Sequence, residues 1–342
     1  MNALYYANFV SGLQDLVADA LKRDVKDLLI KKTLDGALVF ETTCPHERLK
    51  HKCFNNLFAV LNLREAASQR PLEAHIQEVC RRPFRVAPLS GKAPRTFRII
   101  TSYANQLTAI GENARQSAEY HIAHQTGLCL SRNKSDVEFW FLYRTEGFSL
   151  FMQRLSYHAS FDKVLHKGEL TPPLAYALCA AAHLPKDALV LDPFCGYGAI
   201  LKACLTYFPV RTCYAFDISD VALWYTRRYM AGIAAKRTII RKLDVYALPS
   251  LIPAGSLDAI ITDPPWGLYE RLMLPLPRFY VDILKLFAAA LKPDGSITLL
   301  TAQTELVRSI VEKSNTLVIE ETINVLVSGR RASIFRLKKR SC

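Results

Sequence analysis

Residues 189–198 read LVLDPFCGYG, and a helical pattern begins at the next residue, Ala199. The apolar run ends in Asp192, and the turn that follows contains two glycines, Gly196 and Gly198. A strand, a glycine-containing turn and a helix in this order are typical of an open α/β sheet, in which a ligand binds beyond the carboxyl end of the strand. The stretch therefore predicts the fold of this part of the chain and a ligand site beside Asp192.

The sequence around this stretch alternates between strands and helices. Short apolar strands are expected at 188–191, 212–216, 238–241, 257–262 and 296–301, with helices between them at 199–207, 221–231 and 277–291. This alternation predicts a mostly parallel sheet. The last two strands, at 316–326 and 332–337, are joined by a turn too short for a parallel crossover, so they should pair antiparallel. Residues 161–342 are therefore predicted to form a Rossmann-like domain that ends in an antiparallel hairpin.

The loop after Asp192 suits a ligand other than a simple phosphate. It lacks the lysine of a phosphate-binding loop, and its glycines do not have the G-x-G-x-x-G spacing. Because glycine allows the backbone to approach a ligand closely, the loop residues predicted to bind the ligand are Phe194, Cys195, Gly196 and Gly198. Asp192 can accept a hydrogen bond from an ammonium group of that ligand, directly or through water.

Two more carboxylates follow the next strands of the predicted sheet. Asp217 ends the second strand, about 20 residues after the glycines, where a carboxylate suits ribose hydroxyls. Asp244 follows the third strand and could accept from an adenine amino group, or it could cap a turn or helix. Together with Asp192, these positions could accept hydrogen bonds from an ammonium group, from ribose hydroxyls and, if Asp244 is not a cap, from an adenine amino group.

The tetrapeptide Asp263-Pro264-Pro265-Trp266 follows the fourth strand. Its prolines fix the backbone and remove two amide donors, so the carbonyl of Pro264 can point into the site. The Asp263 carboxylate and this carbonyl can accept both hydrogens of a planar amino group and so orient the nitrogen lone pair. Trp266 offers a flat face on which a flipped base can stack. We therefore predict these four residues to be catalytic, with Asp263 also close to the ligand.

The residues before 161 are predicted to form two further units. In residues 1–68 we expect the order β-α-β-β-α-β of a ferredoxin-like α+β domain, with residues 46–63 forming a helix that runs into a strand. Residues 69–95 are rich in arginine and interrupted by prolines, which fits either a solvated connector or a nucleic-acid contact. A strand at 96–101, a helix at 111–126 and strands at 137–143 and 148–155 complete the second unit, 69–160.

The chain has 342 residues, with 44 Lys and Arg against 31 Asp and Glu, and a formal charge of +13. This excess favours a polyanionic partner, and nucleic acid fits better than a membrane because no stretch resembles a basic amphipathic anchor. No apolar run reaches the roughly 18 residues that a membrane span needs, and the start lacks the features of a signal peptide. The 9 cysteines are scattered without a C-x-x-C pair, so we predict no metal site and a cytoplasmic location.

The motifs above resemble those of a known family. Residues 161–342 resemble class I S-adenosylmethionine methyltransferases that act on amino groups, whose motif is [DNS]-P-P-[YFW]. The whole chain resembles the THUMP-domain RNA methyltransferases, in which a ferredoxin-like domain and a THUMP domain precede the catalytic domain. The stretches that carry the N-terminal resemblance and the entry into the catalytic domain are 12–16, 35–41, 97–99, 137–141 and 170–175.

The resemblance implies S-adenosyl-L-methionine as the cofactor, with Thr171 and Pro172 contacting its methionine end. It also implies that tRNA is the partner, docked by the THUMP domain at the acceptor stem, and that the N2 atom of a guanine receives the methyl group.

Alternatives remain open at this stage. Family members that methylate guanine usually carry Tyr or Phe where this chain has Trp266, and Asp-Pro-Pro-Trp also occurs in adenine-N6 methyltransferases. The alternative targets are therefore a guanine of ribosomal RNA or the N6 atom of an adenine in RNA. A non-catalytic RNA-binding protein with a methyltransferase fold is a further alternative, which the intact carboxylates and glycines disfavour. DNA modification is disfavoured because the sequence has no target-recognition region.

Overall fold

The computed structural model describes residues 2–49, 52–65, 69–88, 93–155, 165–166, 168–232, 237–267 and 274–340. The chain divides into two compact units, one made of Met1–Asn8 and Ala18–Ala159 and the other of Phe9–Val17 and Ser160–Cys342. Within the described ranges, no helix is both long and apolar enough to cross a membrane.

One mixed sheet forms the centre of the first unit. Its strands in the described residues are β1 (Ala3–Asn8), β2 (Leu29–Leu34), β3 (Ala37–Thr42), β4 (Asn56–Glu65), β5 (Thr96–Tyr103), β6 (Gln106–Leu107), β7 (Cys129–Leu130), β8 (Val137–Arg144) and β9 (Phe148–Arg154). They lie in the order β2-β3-β1-β4-β9-β8-β5-β6, with β7 paired to β5. The β5 strand runs parallel to β7 and β8, and the other pairs are antiparallel.

The described residues of this part of the chain form the helices α1 (Gln14–Asp24), α2 (Pro71–Val79) and α3 (Glu112–Thr126). The α2 and α3 helices contribute Leu72, Ile76 and Ile122 to an apolar cluster that also contains Phe97 and Phe139 of the sheet. These apolar positions recur at helical spacing on α2, so one face of the helix is buried against the strands.

The helix expected at the start of residues 46–63 is absent from the described residues of that segment, and this prediction was wrong. Leu49 and Cys53, four residues apart, are both buried, as one face of a helix would require. However, the Leu49 amide donates to the His46 carbonyl at 3.0 Å in a turn, and the Asn55 amide donates to the Asn8 carbonyl at 2.7 Å. Pairing of the following strand with β1 therefore overrides the local apolar spacing.

The second unit contains a sheet with strands β10 (Ala188–Asp192), β11 (Val210–Asp217), β12 (Thr238–Lys242), β13 (Leu257–Thr262), β14 (Leu291–Thr301), β15 (Leu317–Val327) and β16 (Arg330–Lys339). Its order is β12-β11-β10-β13-β14-β16-β15. The first five strands of this order are parallel, and β16 pairs antiparallel with both β14 and β15. The predicted parallel sheet with an antiparallel final hairpin is confirmed.

In the described residues of this unit, one helix precedes β10 and the others follow strands of the sheet. These helices are α4 (Pro172–Ala181), α5 (Ala199–Tyr207), α6 (Asp220–Met230), α7 (Leu276–Ala290) and α8 (Thr304–Glu312), with a short 3-10 helix at Val245–Ser250. Buried residues recur along α7 at helical spacing, including Tyr280, Ile283 and Phe287, and they pack in one cluster with Ile260 and Leu299 of the sheet. Burial of both sheet faces explains why β10 and β13 are nearly continuous apolar runs.

Residues Phe9–Val17 belong to the second unit by their contacts. The Leu326 amide donates to the Ser11 carbonyl at 3.2 Å. Gly12 has φ +95°, and a Cβ atom added there would lie 1.7 Å from the Asn324 carbonyl oxygen. Only glycine can occupy this position without moving the backbone of β15.

We therefore expect Gly12→Ala to lower the free energy of unfolding by at least about 3 kcal/mol, since a strained φ and a displaced carbonyl both contribute. The matched control is Gly255→Ala, because Gly255 also has a positive φ (+67°) but no atom within 4 Å of an added Cβ. That control should cost about 1 kcal/mol. Urea denaturation of both variants measures the difference, and equal losses would contradict the close approach at Gly12.

Candidate active site

A cavity of about 710 Å³ lies where the parallel strands of the second unit end. Residues that follow β10, β11, β12 and β13 line it, together with residues 168–170 and the turn between β15 and β16. The carboxyl ends of parallel strands are the usual ligand site of an open α/β sheet. The cavity therefore lies where the sequence predicted a ligand.

The cavity brings together many of the predicted site residues. Those that line it are Phe194, Asp217, Asp244, Asp263, Pro264, Pro265 and Trp266. Of the other predicted residues, Thr171 and Pro172 form the start of α4, directly after Leu170, which lines the cavity. Asp192 is the last residue of β10, and Cys195, Gly196 and Gly198 follow Phe194 in the loop that leads to the next helix, but none of these four is among the residues that line the cavity.

Among the carboxyl groups near the cavity, Asp192 has the pKa that is shifted most. It is 3% exposed, and its Oδ1 accepts hydrogen bonds from Thr262 Oγ1 at 2.9 Å and from the Phe194 amide at 3.2 Å. Its Oδ2 is buried and has no hydrogen-bond partner within the described residues. Burial raises the pKa of Asp192 to about 7, and the Asp217 carboxylate adds to this rise. Such an atom needs a donor or a positive charge, which a ligand can supply.

The loop of residues 193–198, which we call the glycine loop, is fixed by hydrogen bonds to two other side chains. The Gly196 amide donates to Asp217 Oδ2 at 2.8 Å, and the Gly196 carbonyl accepts from Thr226 Oγ1 at 2.7 Å. Gly198 has φ +83°, and a Cβ there would lie 2.9 Å from the Thr226 methyl group. A loop fixed in this way needs little reordering when a ligand binds.

Asp217 and Asp244 each have a structural role besides lining the cavity. Asp217 Oδ1 accepts from the Ser219 amide at 2.8 Å. Asp244 is the N-cap of the 3-10 helix, and its Oδ1 accepts from the Tyr246 amide at 2.9 Å. The sequence left open whether Asp244 caps a helix or contacts a ligand, and the structure is compatible with both roles because a carboxylate can accept several hydrogen bonds.

The Asp263-Pro264-Pro265-Trp266 turn is fixed by side chains from outside the motif. Tyr280 Oη donates to the Pro265 carbonyl at 3.2 Å, and Gln303 Nε2 donates to the Trp266 carbonyl at 2.8 Å. Within the turn, the Trp266 indole donates from Nε1 to Asp263 Oδ1 at 2.8 Å. The turn is therefore rigid, and its carboxylate is oriented by an indole donor.

The sequence analysis missed several of these residues. Tyr280 is fully buried on the apolar face of α7, and its hydroxyl also bonds Thr301 Oγ1 at 2.7 Å. A tyrosine among aliphatic residues on a buried helix face is a usable signal, because its hydroxyl must find a partner. Arg330 and Glu169 also line the cavity, and no local pattern predicted that.

In the part of the chain that the structure describes, no group of three or more His, Cys, Asp or Glu side chains is arranged to hold a metal ion.

Comparisons with known proteins show which proteins this chain is similar to. The chain is 36% identical over 151 residues to the tRNA (guanine(6)-N2)-methyltransferase of Thermus thermophilus, covering 43% of this chain and 44% of that protein. It is 31% identical over 136 residues to the bovine U6 snRNA (guanine-N(2))-methyltransferase THUMPD2, covering 39% of this chain and 26% of that protein. The matches thus span less than half the length of these two relatives.

The crystal structure of TrmN from Thermus thermophilus has the same fold, with a TM-score of 0.83 and 22% identity over 99% of this chain and 100% of that one. Residues 161–333, just over half of the chain, match the family model described as UPF0020, RMKL-like, methyltransferase domain. The range covers the glycine loop, all three carboxylates at the strand ends and the Asp-Pro-Pro-Trp turn. The chain therefore belongs to the UPF0020 family of RMKL-like methyltransferase domains.

Proposed function

We propose that this chain is an S-adenosylmethionine-dependent tRNA methyltransferase that modifies the exocyclic N2 atom of a guanine. The observation that carries the proposal is the rigid Asp263-Pro264-Pro265-Trp266 turn on the wall of the cavity. A planar amino group needs two acceptors held in fixed positions, and the Asp263 carboxylate and the Pro264 carbonyl have the chemistry for this.

The residues around the cavity fit S-adenosylmethionine. The orphaned, buried Oδ2 of Asp192 suits the ammonium group of the methionine part, and we assign Thr171 and Pro172 to the same part of the cofactor. Asp217 suits the ribose hydroxyls, Asp244 the adenine amino group, and Phe194 offers an apolar wall. When bound there, the cofactor supplies a methyl group already activated by a positively charged sulfur.

The protein then has to align the acceptor and stabilise charge. In this mechanism the Asp263 carboxylate and the Pro264 carbonyl each accept a hydrogen bond from the amino group. These two bonds direct the nitrogen lone pair along the line of displacement. As the nitrogen becomes positive, the Asp263 carboxylate stabilises it. Trp266 contributes a face for the base and an indole donor that orients the carboxylate.

RNA is the proposed substrate on three grounds. Both curated relatives described above are named as RNA guanine-N2 methyltransferases. The charge of +13 favours a polyanion. We assign residues 1–68 to a ferredoxin-like domain and residues 69–160 to a THUMP domain that docks the acceptor stem of tRNA.

We also propose a cytoplasmic location, since the eight cysteines of the described residues are free thiols, which a reducing compartment maintains.

The test is methyl transfer by the purified full-length chain from labelled S-adenosylmethionine to unmodified tRNA. We expect label in tRNA and N2-methylguanosine in its nucleoside digest, identified by mass spectrometry against synthetic N2-methylguanosine and N6-methyladenosine. Label in N6-methyladenosine would overturn the choice of base. Label in ribosomal RNA but not in tRNA would overturn the choice of substrate. No label in any RNA, with no binding of the cofactor, would overturn the enzyme assignment.

A further inference from the structure

The outward face of α6 carries exposed aromatic side chains. Trp224 is 52% exposed and Tyr225 and Tyr229 are each 39% exposed, although Leu223 and Thr226 of the same helix are fully buried. We call the exposed residues Val221, Trp224, Tyr225, Arg228 and Tyr229 the α6 face. Large aromatic side chains are costly to leave in water, and a contiguous group of them marks an interaction site.

A series of ring contacts joins the α6 face to the rim of the cavity. The Trp224 and Tyr225 rings lie 4.8 Å apart at 88°, and Tyr225 lies 4.4 Å from the His166 ring. His166 in turn stacks on Tyr197 of the glycine loop at 4.1 Å and 8°. The backbone amide of His166 donates to Glu169 Oε2 at 3.1 Å, and Glu169 lines the cavity. An extended ligand that leaves the cavity on this side can therefore continue over aromatic side chains onto α6.

The charges on this face are positive. The Arg228 guanidinium lies 5.3 Å from the Trp224 ring centroid, and Lys202 Nζ lies 4.1 Å from the Tyr229 ring centroid. The acidic residue at the start of the helix, Asp220, is neutralised by Lys242 at 2.5 Å. Trp224 and Tyr229 are therefore exposed rings with a cation beside them, and such pairs are complementary to bases joined by phosphates.

We propose that the α6 face binds an unpaired segment of the RNA substrate, with a base stacked on Trp224 and a neighbouring phosphate held by Arg228. The proposal rests on the proposed function and adds a second contact region to it, outside the cavity. An unpaired segment is required because the bases of a duplex have no free faces for stacking. A nucleotide flipped into the cavity has unpaired or distorted neighbours, so such a segment is available next to the site.

The test compares Trp224→Ala with Trp224→Phe in the full-length chain. Trp224→Ala should weaken binding to unmodified tRNA about tenfold and raise the KM for tRNA by a similar factor, since it removes one stacking platform. The kcat at saturating tRNA and the affinity for S-adenosylhomocysteine should not change. Trp224→Phe should recover most of the loss. Val318→Ala, which removes an exposed apolar side chain on β15 (40% exposed), is the matched control and should behave as wild type.

Arg228→Gln provides a second, independent measurement. It should reduce the slope of log K for tRNA against log salt by about one, because one phosphate contact is lost. Unchanged tRNA affinity and KM in Trp224→Ala, in a wild type that methylates tRNA, would overturn this proposal alone. A change in sedimentation coefficient with unchanged tRNA affinity would make the face a protein interface and would also overturn it. A wild type that binds tRNA through Trp224 but transfers no methyl group would overturn the proposed function and support the α6 contact.

Discussion

Asp263→Ala is expected to lower kcat for methyl transfer about 100- to 1000-fold, while the affinity for S-adenosylhomocysteine stays within about threefold. In the proposed mechanism the carboxylate is the charged acceptor of the turn, so its removal would leave the amino group with the Pro264 carbonyl alone. The surrounding turn should keep its shape, because Tyr280 and Gln303 hold the Pro265 and Trp266 carbonyls independently of Asp263. The loss should therefore appear in the chemical step.

Two further variants separate charge from geometry in this prediction. Asp263→Asn keeps one oxygen acceptor but no charge, so it should retain more activity than Asp263→Ala. Trp266→Phe keeps an aromatic face but removes the indole donor to Asp263 Oδ1, so we expect a kcat loss of about tenfold. Single-turnover rates at saturating cofactor and tRNA measure these effects. Wild-type turnover in Asp263→Ala would overturn the catalytic role of the carboxylate.

Much of the second unit could be predicted from its sequence. The helix at 199–207 and the strand at 257–262 were predicted with the bounds that the structure has. Both are apolar segments bounded by glycine, proline or aspartate, so local pattern and tertiary structure agree there. The helix predicted at the start of residues 46–63 was wrong because Leu49 and Cys53 have helical spacing, whereas Asn55 bonds to Asn8 of β1 and the strand that follows pairs with β1.

The site was predicted where its residues follow strands in sequence. Asp217 is the last residue of a parallel strand, Asp244 and Asp263 follow parallel strands within two residues, and the carboxyl ends of parallel strands meet at one edge of the sheet. The contacts that fix the site were not predictable in this way. Tyr280 bonds Pro265 across 15 residues and Gln303 bonds Trp266 across 37, and no local spacing specifies such pairs.

Asp192→Asn is expected to stabilise the cofactor-free protein at neutral and higher pH. In the wild type, burial raises the pKa of Asp192 from 3.8 to about 7. A rise of this size corresponds to about 4 kcal/mol between the protonated and ionised forms. The neutral amide has no such cost, although its buried nitrogen then lacks a partner, so about 4 kcal/mol is the upper limit of the gain.

The pH dependence of this gain has a definite sign. Below about pH 4 the wild-type carboxyl is protonated in both the folded and unfolded states, and the two proteins should differ little. Between about pH 4 and pH 7 the unfolded chain releases the proton while the folded chain keeps it, so wild-type stability falls as pH rises. Above about pH 7 the difference is constant. Urea denaturation of both proteins without cofactor, at a series of pH values, measures it. A difference that does not depend on pH would contradict the raised pKa.

The same substitution should weaken cofactor binding, because the unpaired Oδ2 of Asp192 is the acceptor assigned to the ammonium group. Loss of a charge-assisted hydrogen bond should reduce the affinity for S-adenosylhomocysteine roughly 10- to 100-fold. The wild-type affinity should rise between about pH 6 and pH 8 as Asp192 ionises, whereas the affinity of Asp192→Asn should stay flat. Thr262→Val is the matched control, since it removes a donor to Oδ1 at 2.9 Å and leaves the carboxyl in place. Equal affinities of wild type and Asp192→Asn would assign the buried carboxyl to the fold alone. If Asp192→Asn is more stable than the wild type but binds the cofactor more weakly, the buried carboxyl destabilises the fold and contributes to ligand binding.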